Sequence, residues 1–426
     1  MLRVLARHTY WNAIATFGYQ GSTFLANFLV IKLLDQVSYG KYSLVSITAL
    51  HVANVLQFGV GSTVAKYCSR YMTLNPARVP AVIATCALYV LLSSAVGCTL
   101  LVLASGQIAE VGFLDASLGR DIAIVALSIP GLIGSIFLNG LLQGLIKFRP
   151  LAISAVVSGV LFVLAVAYGA YCGGLLGAVA GFVTGSIARS LILGVAAVVV
   201  LVEVLPGRFS RSTLFDGSIL REIVHFQVPA GLASCLTIPS LWLMPTILAH
   251  TTQDYSEVAS YSVILLLKSL IVLPASVVTL ALQPAAEAAW SKSDRLAASR
   301  VFMTGMYVSL ASVGGLALLL VIVAGPLLQF LGHDFVRAER LLQWMMLAAV
   351  AEAGAVSFLM RIQAVGRMWA AILATLVPRD LLMLSIAVAF TSTYGLRAII
   401  FAHVIGAIAN LIGTCWLGIR STSVTR

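Results

Sequence analysis

Six ionisable residues lie inside stretches that are otherwise almost wholly apolar. The position of a charged group in such a stretch requires a chemical explanation. They are Arg189, Lys268, Glu352, Arg361, Arg379 and Asp380. If those stretches cross a bilayer, each charge near its centre costs about 2.5–3.5 kcal/mol on insertion scales. Each charge must then meet an opposite charge, reach the membrane surface or bind a charged ligand. No acid/base pair is evident among them, so we predict binding chemistry and no catalytic residue.

The two carboxylates lie in the second half of the chain. Glu352 and the neighbours Arg379 and Asp380 fall near the middle of two sequential predicted helices, at similar depth. Adjacent residues on a helix point about 100° apart, so Arg379 is predicted to pair with Glu352 across the helix pair rather than with Asp380. Each of the carboxylates Glu352 and Asp380 is interpreted either as a member of a structural ion pair with a cation or as an ion-coupling group. Arg361 lies near the end of its helix, where its side chain can reach the surface.

Two cations have no obvious partner. Arg189 lies near the middle of a predicted span in the first half, whose apolar stretches hold no deep carboxylate. Lys268 lies about 10 Å inside its span at 1.5 Å per residue, and reaching the surface is the alternative for it. Both are predicted to face water, a partner in the other half or an anionic ligand. The predicted substrate-binding set is Arg189, Lys268, Arg379, His51 and Arg361.

Polar residues of the first two predicted spans are candidates to line a cavity. They are Asn12, Gln20, Asn27, His51, Asn54 and Gln57. His51 is either a hydrogen-bonded residue between helices or a group that gains charge on protonation. The chain has no phosphate-cradling G-x-x-x-x-G-K-[ST], HExxH or GxSxG sequence, so no ATP site, metal or cofactor is predicted. Its six scattered cysteines are interpreted as small hydrophobic residues.

Membrane-spanning helices must hold these residues in place. Of the 426 residues, 60% are hydrophobic and 10% are charged, whereas soluble domains average about 25% charged residues. Twelve spans are predicted, all α-helical because lipid offers the backbone no other hydrogen-bond partner. They are roughly 12–34, 43–65, 81–104, 122–146, 150–170, 175–204, 226–249, 261–285, 301–324, 342–364, 368–390 and 398–418. The net charge of +11 falls mostly in loops on one side, which indicates cytoplasmic termini rather than nucleic-acid binding.

A connection over residues 206–225 divides the chain into two predicted six-helix lobes, residues 1–205 and 226–426. Three weak sequence matches recur between the lobes in one register. They pair Tyr39–Leu44 with Val258–Val263, Gln143–Phe148 with Gln363–Met368, and Gly174–Ala178 with Gly395–Ile399. Two parallel repeats around a central cavity are typical of alternating-access transporters. Three prolines of the seventh span are predicted to form a hinge or ordinary kinks: Pro229, Pro239 and Pro245.

Several short motifs resemble those of polysaccharide-biosynthesis flippases, the O-antigen (Wzx-type) transporters of the multidrug/oligosaccharidyl-lipid/polysaccharide exporter superfamily. The motifs are Tyr39-Gly40-Lys41-Tyr42, Gln57–Gly61, Gly174–Ala178 and Gly332–Phe335 with Ala338. The resemblance covers essentially the whole chain. It implies an all-α polytopic membrane protein with a MATE-like fold, in which twelve transmembrane helices form two six-helix lobes.

The resemblance implies a function as well as a fold. It implies translocation of an undecaprenyl-pyrophosphate-linked oligosaccharide across a bacterial inner membrane, with Arg189 and Lys268 holding the pyrophosphate. The implied partners are this lipid-linked substrate, membrane lipids, a glycan polymerase and other assembly proteins. The alternative is a MATE-like multidrug or metabolite antiporter. By resemblance, a multidrug antiporter of this superfamily would be expected to carry an acidic residue in the first span for cation coupling. The first span of this chain has none.

Overall fold

The computed structural model describes residues 2–205, 217–237, 239–291, 295–364 and 368–423, and every regular element in these ranges is a helix. The α-helices are α1 (Leu2–Leu33), α2 (Gln36–Leu56), α3 (Val60–Leu74), α4 (Val79–Gln107), α5 (Leu118–Ala126), α6 (Ile129–Gly144), α7 (Phe148–Val204), α8 (Gly217–Thr237), α9 (Pro239–Thr252), α10 (Tyr255–Ser291), α11 (Arg295–Leu331), α12 (Glu339–Ala364), α13 (Met368–Ala371), α14 (Val377–Tyr394) and α15 (Leu396–Ser423). Short 3₁₀ turns cover Pro76–Arg78 and His333–Ala338, and π-turns cover Ile108–Gly112 and Ile372–Leu376. The all-helical prediction is confirmed.

Within the described residues, eight helices are long and apolar enough to cross a membrane, or nine if the bent pair of α2 and α3 is one span. The chain direction bends by 42° between the two helices of this pair. The bend occurs at Gly59, whose φ of 76° lies in the left-handed region that glycine adopts without strain. The protein is therefore a multi-pass membrane protein. The count of twelve crossings stays a prediction, because α1 and α8 are not among these spans and α9, with 14 residues, is shorter than the roughly 20 residues that cross a bilayer.

The 57-residue helix α7 is two helices joined by a tight turn. At the turn Gly174 has φ 56° and ψ −135°, a conformation open to glycine and strained for other residues. The two arms then pack against each other so closely that a Cβ at Gly177 would lie 2.0 Å from the carbonyl oxygen of Gly169. The predicted spans 150–170 and 175–204 correspond to these two arms.

The internal repeat predicted from sequence has a structural counterpart. Gly395 precedes α15 with φ 54° and ψ −135°, almost the dihedral angles of Gly174. Tyr42 and Tyr261, which occupy matching positions of the repeat, are 1% and 0% exposed. Equivalent positions in the two halves therefore share backbone conformation and burial.

Contacts divide the chain into two compact units, Met1–Trp242 and Leu243–Arg426. In the first unit, α8 packs against α2, α3 and α4. The Tyr67 hydroxyl fixes this contact by donating a 2.8 Å hydrogen bond to the carbonyl oxygen of Glu222. The predicted connection at 206–225 stays a prediction, because residues 206–216 lie outside the described residues.

The three candidate hinge prolines fall in α8 and α9. Pro229 lies within α8, and Pro239 is the first residue of α9. The side chains of these two prolines lie outside the described part of the structure. Pro245 lies inside α9, close to the boundary between the two compact units. A proline there removes a backbone donor and weakens the helix locally. The hinge role of the three prolines stays a prediction.

Candidate functional site

The first unit contains a cavity of about 620 Å³, within the size range of small-molecule sites. Its wall comes from α1, α2, α3 and α6. The lining residues are Tyr19, Leu50, Ala53, Asn54, Gln57, Gly59, Gly61, Ser62, Ala65, Leu132, Ser135, Ile136, Asn139, Gly140 and Gln143. None of these residues is charged. The cavity therefore offers neutral hydrogen-bonding groups and apolar surface.

Small residues bring α3 and α6 together at one side of this cavity. A Cβ at Gly140 would lie 2.2 Å from the carbonyl oxygen of Gly61, and a Cβ at Gly144 would lie 2.7 Å from that of Ala65. Only small residues allow two helix backbones to approach this closely in a membrane. This contact fixes the position of α6 and hence of the polar side chains that α6 carries.

Four carboxamides line the cavity. Asn54 comes from α2 and Gln57 directly follows that helix, while Asn139 and Gln143 come from α6. Gln143 Nε2 donates a 2.6 Å hydrogen bond to Asn139 Oδ1. Within the described residues, no hydrogen bond occupies the side-chain amides of Asn54 and Gln57. The four amides together present both donors and acceptors to a ligand.

Sequence reasoning identified part of this lining. Asn54 and Gln57 were predicted, whereas Asn12, Gln20 and Asn27 do not line the cavity. Three lining residues of α6 were missed, and they recur at every fourth position: Ser135, Asn139 and Gln143. Residues four apart lie on one face of a helix, so this polar stripe in an apolar span was a readable signal. Tyr19 carries no comparable signal.

Arg189 lies behind the wall of the cavity rather than in it. Its guanidinium carbon lies 4.2 Å from the ring centroid of Tyr19 and 4.4 Å from that of Phe162. Its Nη2 donates a 2.7 Å hydrogen bond to Ser22 Oγ, and its Nε has no hydrogen-bond partner. The residue is 4% exposed. Tyr19 lines the cavity, so one aromatic ring separates the guanidinium from the cavity space.

No carboxylate in the described part of the chain forms an ion pair with Arg189. The prediction that this cation lacks an acidic partner therefore agrees with the structure. Its charge is stabilised by two aromatic faces, each worth up to about 2 kcal/mol when desolvated, and by one hydroxyl.

His51 also lies outside the cavity lining, although it follows the lining residue Leu50 on α2. Its Nδ1 is buried and has no hydrogen-bond partner among the described residues. The interhelical hydrogen bond predicted for it is not formed at this atom.

The ion pairs of the second unit differ from the predicted ones. Lys268 Nζ lies 2.5 Å from Glu352 Oε1, and Arg379 Nη2 lies 2.6 Å from Asp380 Oδ1. The prediction of a Glu352–Arg379 pair is therefore wrong, as is the prediction that Lys268 has no partner within its own half. The helix α12 packs on α10 and α15, while α14 packs on α15. The helices α12 and α14, which carry Glu352 and Arg379, are thus not a closely packed pair among the described residues, and the flexible Arg379 side chain folds back onto its neighbour Asp380.

Two further residues of the second unit have defined partners. Arg361 lies over the ring of Phe302, with 5.0 Å from its guanidinium carbon to the ring centroid. Sequence reasoning missed His403, which is buried on α15 with its Nε2 2.8 Å from the hydroxyl of Tyr261. No spacing pattern distinguishes this histidine in the sequence.

A comparison with protein families identifies the relatives of this chain. Residues 5–287 match the family described as polysaccharide biosynthesis protein. The chain belongs to this family. A comparison with curated proteins finds no significant match.

Solved structures with the same fold are transporters. An inward-facing multidrug resistance MATE family transporter of the MOP superfamily aligns with a TM-score of 0.79 at 13% identity, over 97% of this chain and 98% of that one. A MOP superfamily transporter from Pyrococcus furiosus, whose binding pocket is described as having reversed polarity, aligns with a TM-score of 0.72 at 14% identity, over 99% and 96%. An outward-facing MATE family transporter gives 0.71 at 15% identity, over 99% and 96%. The predicted MATE-like fold is confirmed.

Proposed function

We propose that this protein moves a lipid-linked oligosaccharide, carried on undecaprenyl pyrophosphate, across a bacterial inner membrane. In this proposal the oligosaccharide enters from the cytoplasmic side and leaves on the periplasmic side, while the lipid tail stays in the bilayer. Membership of the polysaccharide biosynthesis family supports a substrate of this class. The transporter fold supports a mechanism of alternating access.

The observation that carries the proposal is the unneutralised charge of Arg189 beside the cavity. A cation buried at membrane depth without a carboxylate is unfavourable, and it is retained where it serves a negatively charged ligand. An arginine binds phosphate oxygens through parallel hydrogen bonds. Rotation of the Tyr19 ring, which separates the guanidinium from the cavity, would allow a pyrophosphate to reach Arg189.

The second candidate is a multidrug or metabolite antiporter, which the fold of the MATE relatives favours. An organic cation needs a carboxylate or a rich aromatic surface in its site. The cavity of the first unit has no carboxylate in its lining and a single aromatic residue, Tyr19. The chemistry of this cavity therefore fits a saccharide better than a cation.

The experiment reconstitutes the purified protein in liposomes that contain a fluorescent undecaprenyl-pyrophosphate-linked oligosaccharide. Translocation is measured by the loss of fluorescence to a membrane-impermeant quencher. We expect Arg189→Gln to slow translocation about tenfold or more, the usual effect of losing a hydrogen bond to a charged group. Arg189→Lys keeps the charge but not the paired donors, so it should retain intermediate activity.

Thermal unfolding separates this role from a structural one. Substitution of Arg189 by glutamine removes an unfavourable buried charge of about 2.5–3.5 kcal/mol. It also removes two aromatic contacts worth up to about 2 kcal/mol each, so the free energy of unfolding should change little. If the wild-type protein moves no lipid-linked oligosaccharide but exports ethidium from the same liposomes, the antiporter is the correct function.

A further inference from the structure

We infer that the carboxamide cluster of the first unit is the subsite for the glycan portion of the substrate. The cluster is defined here as Asn54, Gln57, Asn139 and Gln143, all of which line the cavity. This inference rests on the proposed function and divides the substrate between two parts of the site. Arg189 serves the phosphate, and the carboxamide cluster serves the sugar.

The chemistry of the cluster matches hydroxyl groups. Each carboxamide has one acceptor oxygen and two donor hydrogens, and each sugar hydroxyl both donates and accepts. The hydrogen bond from Gln143 to Asn139 orients both groups. It leaves Gln143 Oε1 as an acceptor and Asn139 Nδ2 as a donor for a ligand. Asn54 and Gln57 face the cavity with no other hydrogen-bond partner in the described part of the chain.

The remaining wall of the cavity also fits a sugar ring. Tyr19, Leu132 and Ile136 supply aromatic and aliphatic surface for the C–H faces of a pyranose. A wholly apolar ligand would cover the half-buried amides of Asn54 and Gln57 without giving them a hydrogen-bond partner, which is unfavourable. A charged ligand would find no opposite charge in the lining. A neutral, polyhydroxylated group satisfies both the amides and the apolar wall.

The two subsites share one residue. Tyr19 lines the cavity and also packs against the Arg189 guanidinium. A glycan in the carboxamide cluster would therefore lie within one side chain of the cation. This proximity suits a substrate in which the first sugar is bonded directly to a phosphate.

The test uses volume-conserving substitutions in the full-length protein held in lipid nanodiscs. Asn54→Leu and Gln143→Met keep the shape of each side chain and remove its hydrogen bonds. They lie on different helices, and no hydrogen bond joins them among the described residues, so we expect their effects to add. Gln20→Met is the matched control, because Gln20 is exposed on α1 and does not line the cavity.

Two probes separate the subsites. The first is undecaprenyl pyrophosphate without sugar, and the second is the same lipid carrying a neutral oligosaccharide. We expect each substitution to weaken binding of the glycosylated lipid roughly fivefold, and the pair about 25-fold, from the modest net strength of a neutral hydrogen bond. Binding of the bare lipid should stay unchanged, and Gln20→Met should resemble the wild-type protein with both probes. Equal affinity of the double variant and the wild-type protein for the glycosylated lipid overturns the inference.

A third probe keeps the inference distinct from the proposed function. It is the free oligosaccharide released from the lipid, detected by saturation-transfer NMR. If the wild-type protein binds neither lipid but binds the free oligosaccharide, and the double variant does not, then the glycan subsite stands and lipid-linked transport fails. If no probe distinguishes the double variant from the wild-type protein, the carboxamide cluster does not bind sugar.

Discussion

Replacing Glu352 with glutamine should destabilise the second unit by leaving the ammonium group of Lys268 buried and unpaired. The two side chains form an ion pair with 2.5 Å between Nζ and Oε1. The Lys268 side chain is 10% exposed, and the Glu352 side chain is 26% exposed. Glutamine preserves the shape of the side chain and keeps one oxygen for a weaker hydrogen bond, so the change tests the charge alone.

The magnitude follows from the geometry. At 2.5 Å and an effective dielectric constant of about 20, the attraction is about 7 kcal/mol. Dehydration of both ions offsets much of this, and removal of one partner of a buried pair costs about 3–5 kcal/mol. The partial exposure of Glu352 favours the lower value, about 3 kcal/mol. For a unit of this size that corresponds to a fall of roughly 6–12 °C in the unfolding midpoint.

The assay is thermal unfolding of the purified protein, with the oligosaccharide translocation rate measured on the same samples. Glu203→Gln is the matched control, because its partner Lys147 lies 2.9 Å away in an exposed pair. Exposed pairs contribute at most about 1 kcal/mol, so this control should melt close to the wild-type protein. An equal midpoint for Glu352→Gln and the control would refute the assignment of a buried, stabilising contact.

A double variant separates stability from transport. Lys268→Met combined with Glu352→Gln removes both charges, and such replacements are often neutral or stabilising. We expect both the unfolding midpoint and the translocation rate to return towards wild-type values. A double variant that is stable but inactive would instead assign the pair to the transport cycle, and one as unstable as Glu352→Gln would contradict the electrostatic reasoning.

Two further predictions concern packing and pH. Gly177→Ala should abolish accumulation of folded protein, because its Cβ would lie 2.0 Å from a carbonyl oxygen of the facing arm of α7. The control Gly194→Ala meets only an ordinary contact at 3.7 Å, and both are measured by size-exclusion chromatography of membrane extracts. Burial raises the pKa of Asp115, but hydrogen bonds, including one from Lys41, outweigh burial and hold the pKa below 3.8. This pair should therefore contribute about 1 kcal/mol above pH 3.8 and lose it as the pH falls further, a dependence that Asp115→Asn should remove from acid titrations of stability.

The sequence by itself determined the class of fold and the presence of a buried cation. Long uncharged stretches require helices in a bilayer, because the backbone has no other hydrogen-bond partner there. A glycine at an equivalent turn in each half predicted the repeat, and Gly174 and Gly395 adopt nearly the same dihedral angles. The absence of deep carboxylates in the first half predicted that Arg189 lacks an acidic partner. Each of these inferences depends on local composition or spacing along one chain segment.

Tertiary structure alone decided which charges meet and which polar groups share a cavity. The pairing of Lys268 with Glu352 depends on α10 packing against α12, whereas sequence order suggested a pair between consecutive spans. The carboxamide cluster likewise forms because α6 approaches α3 at Gly140, where any larger residue would collide with Gly61. Helical periodicity tells which residues share a face, but the neighbour of that face is set by contacts between distant segments. That is why Asn139 and Gln143 were readable as a stripe, while their place beside Asn54 and Gln57 was not.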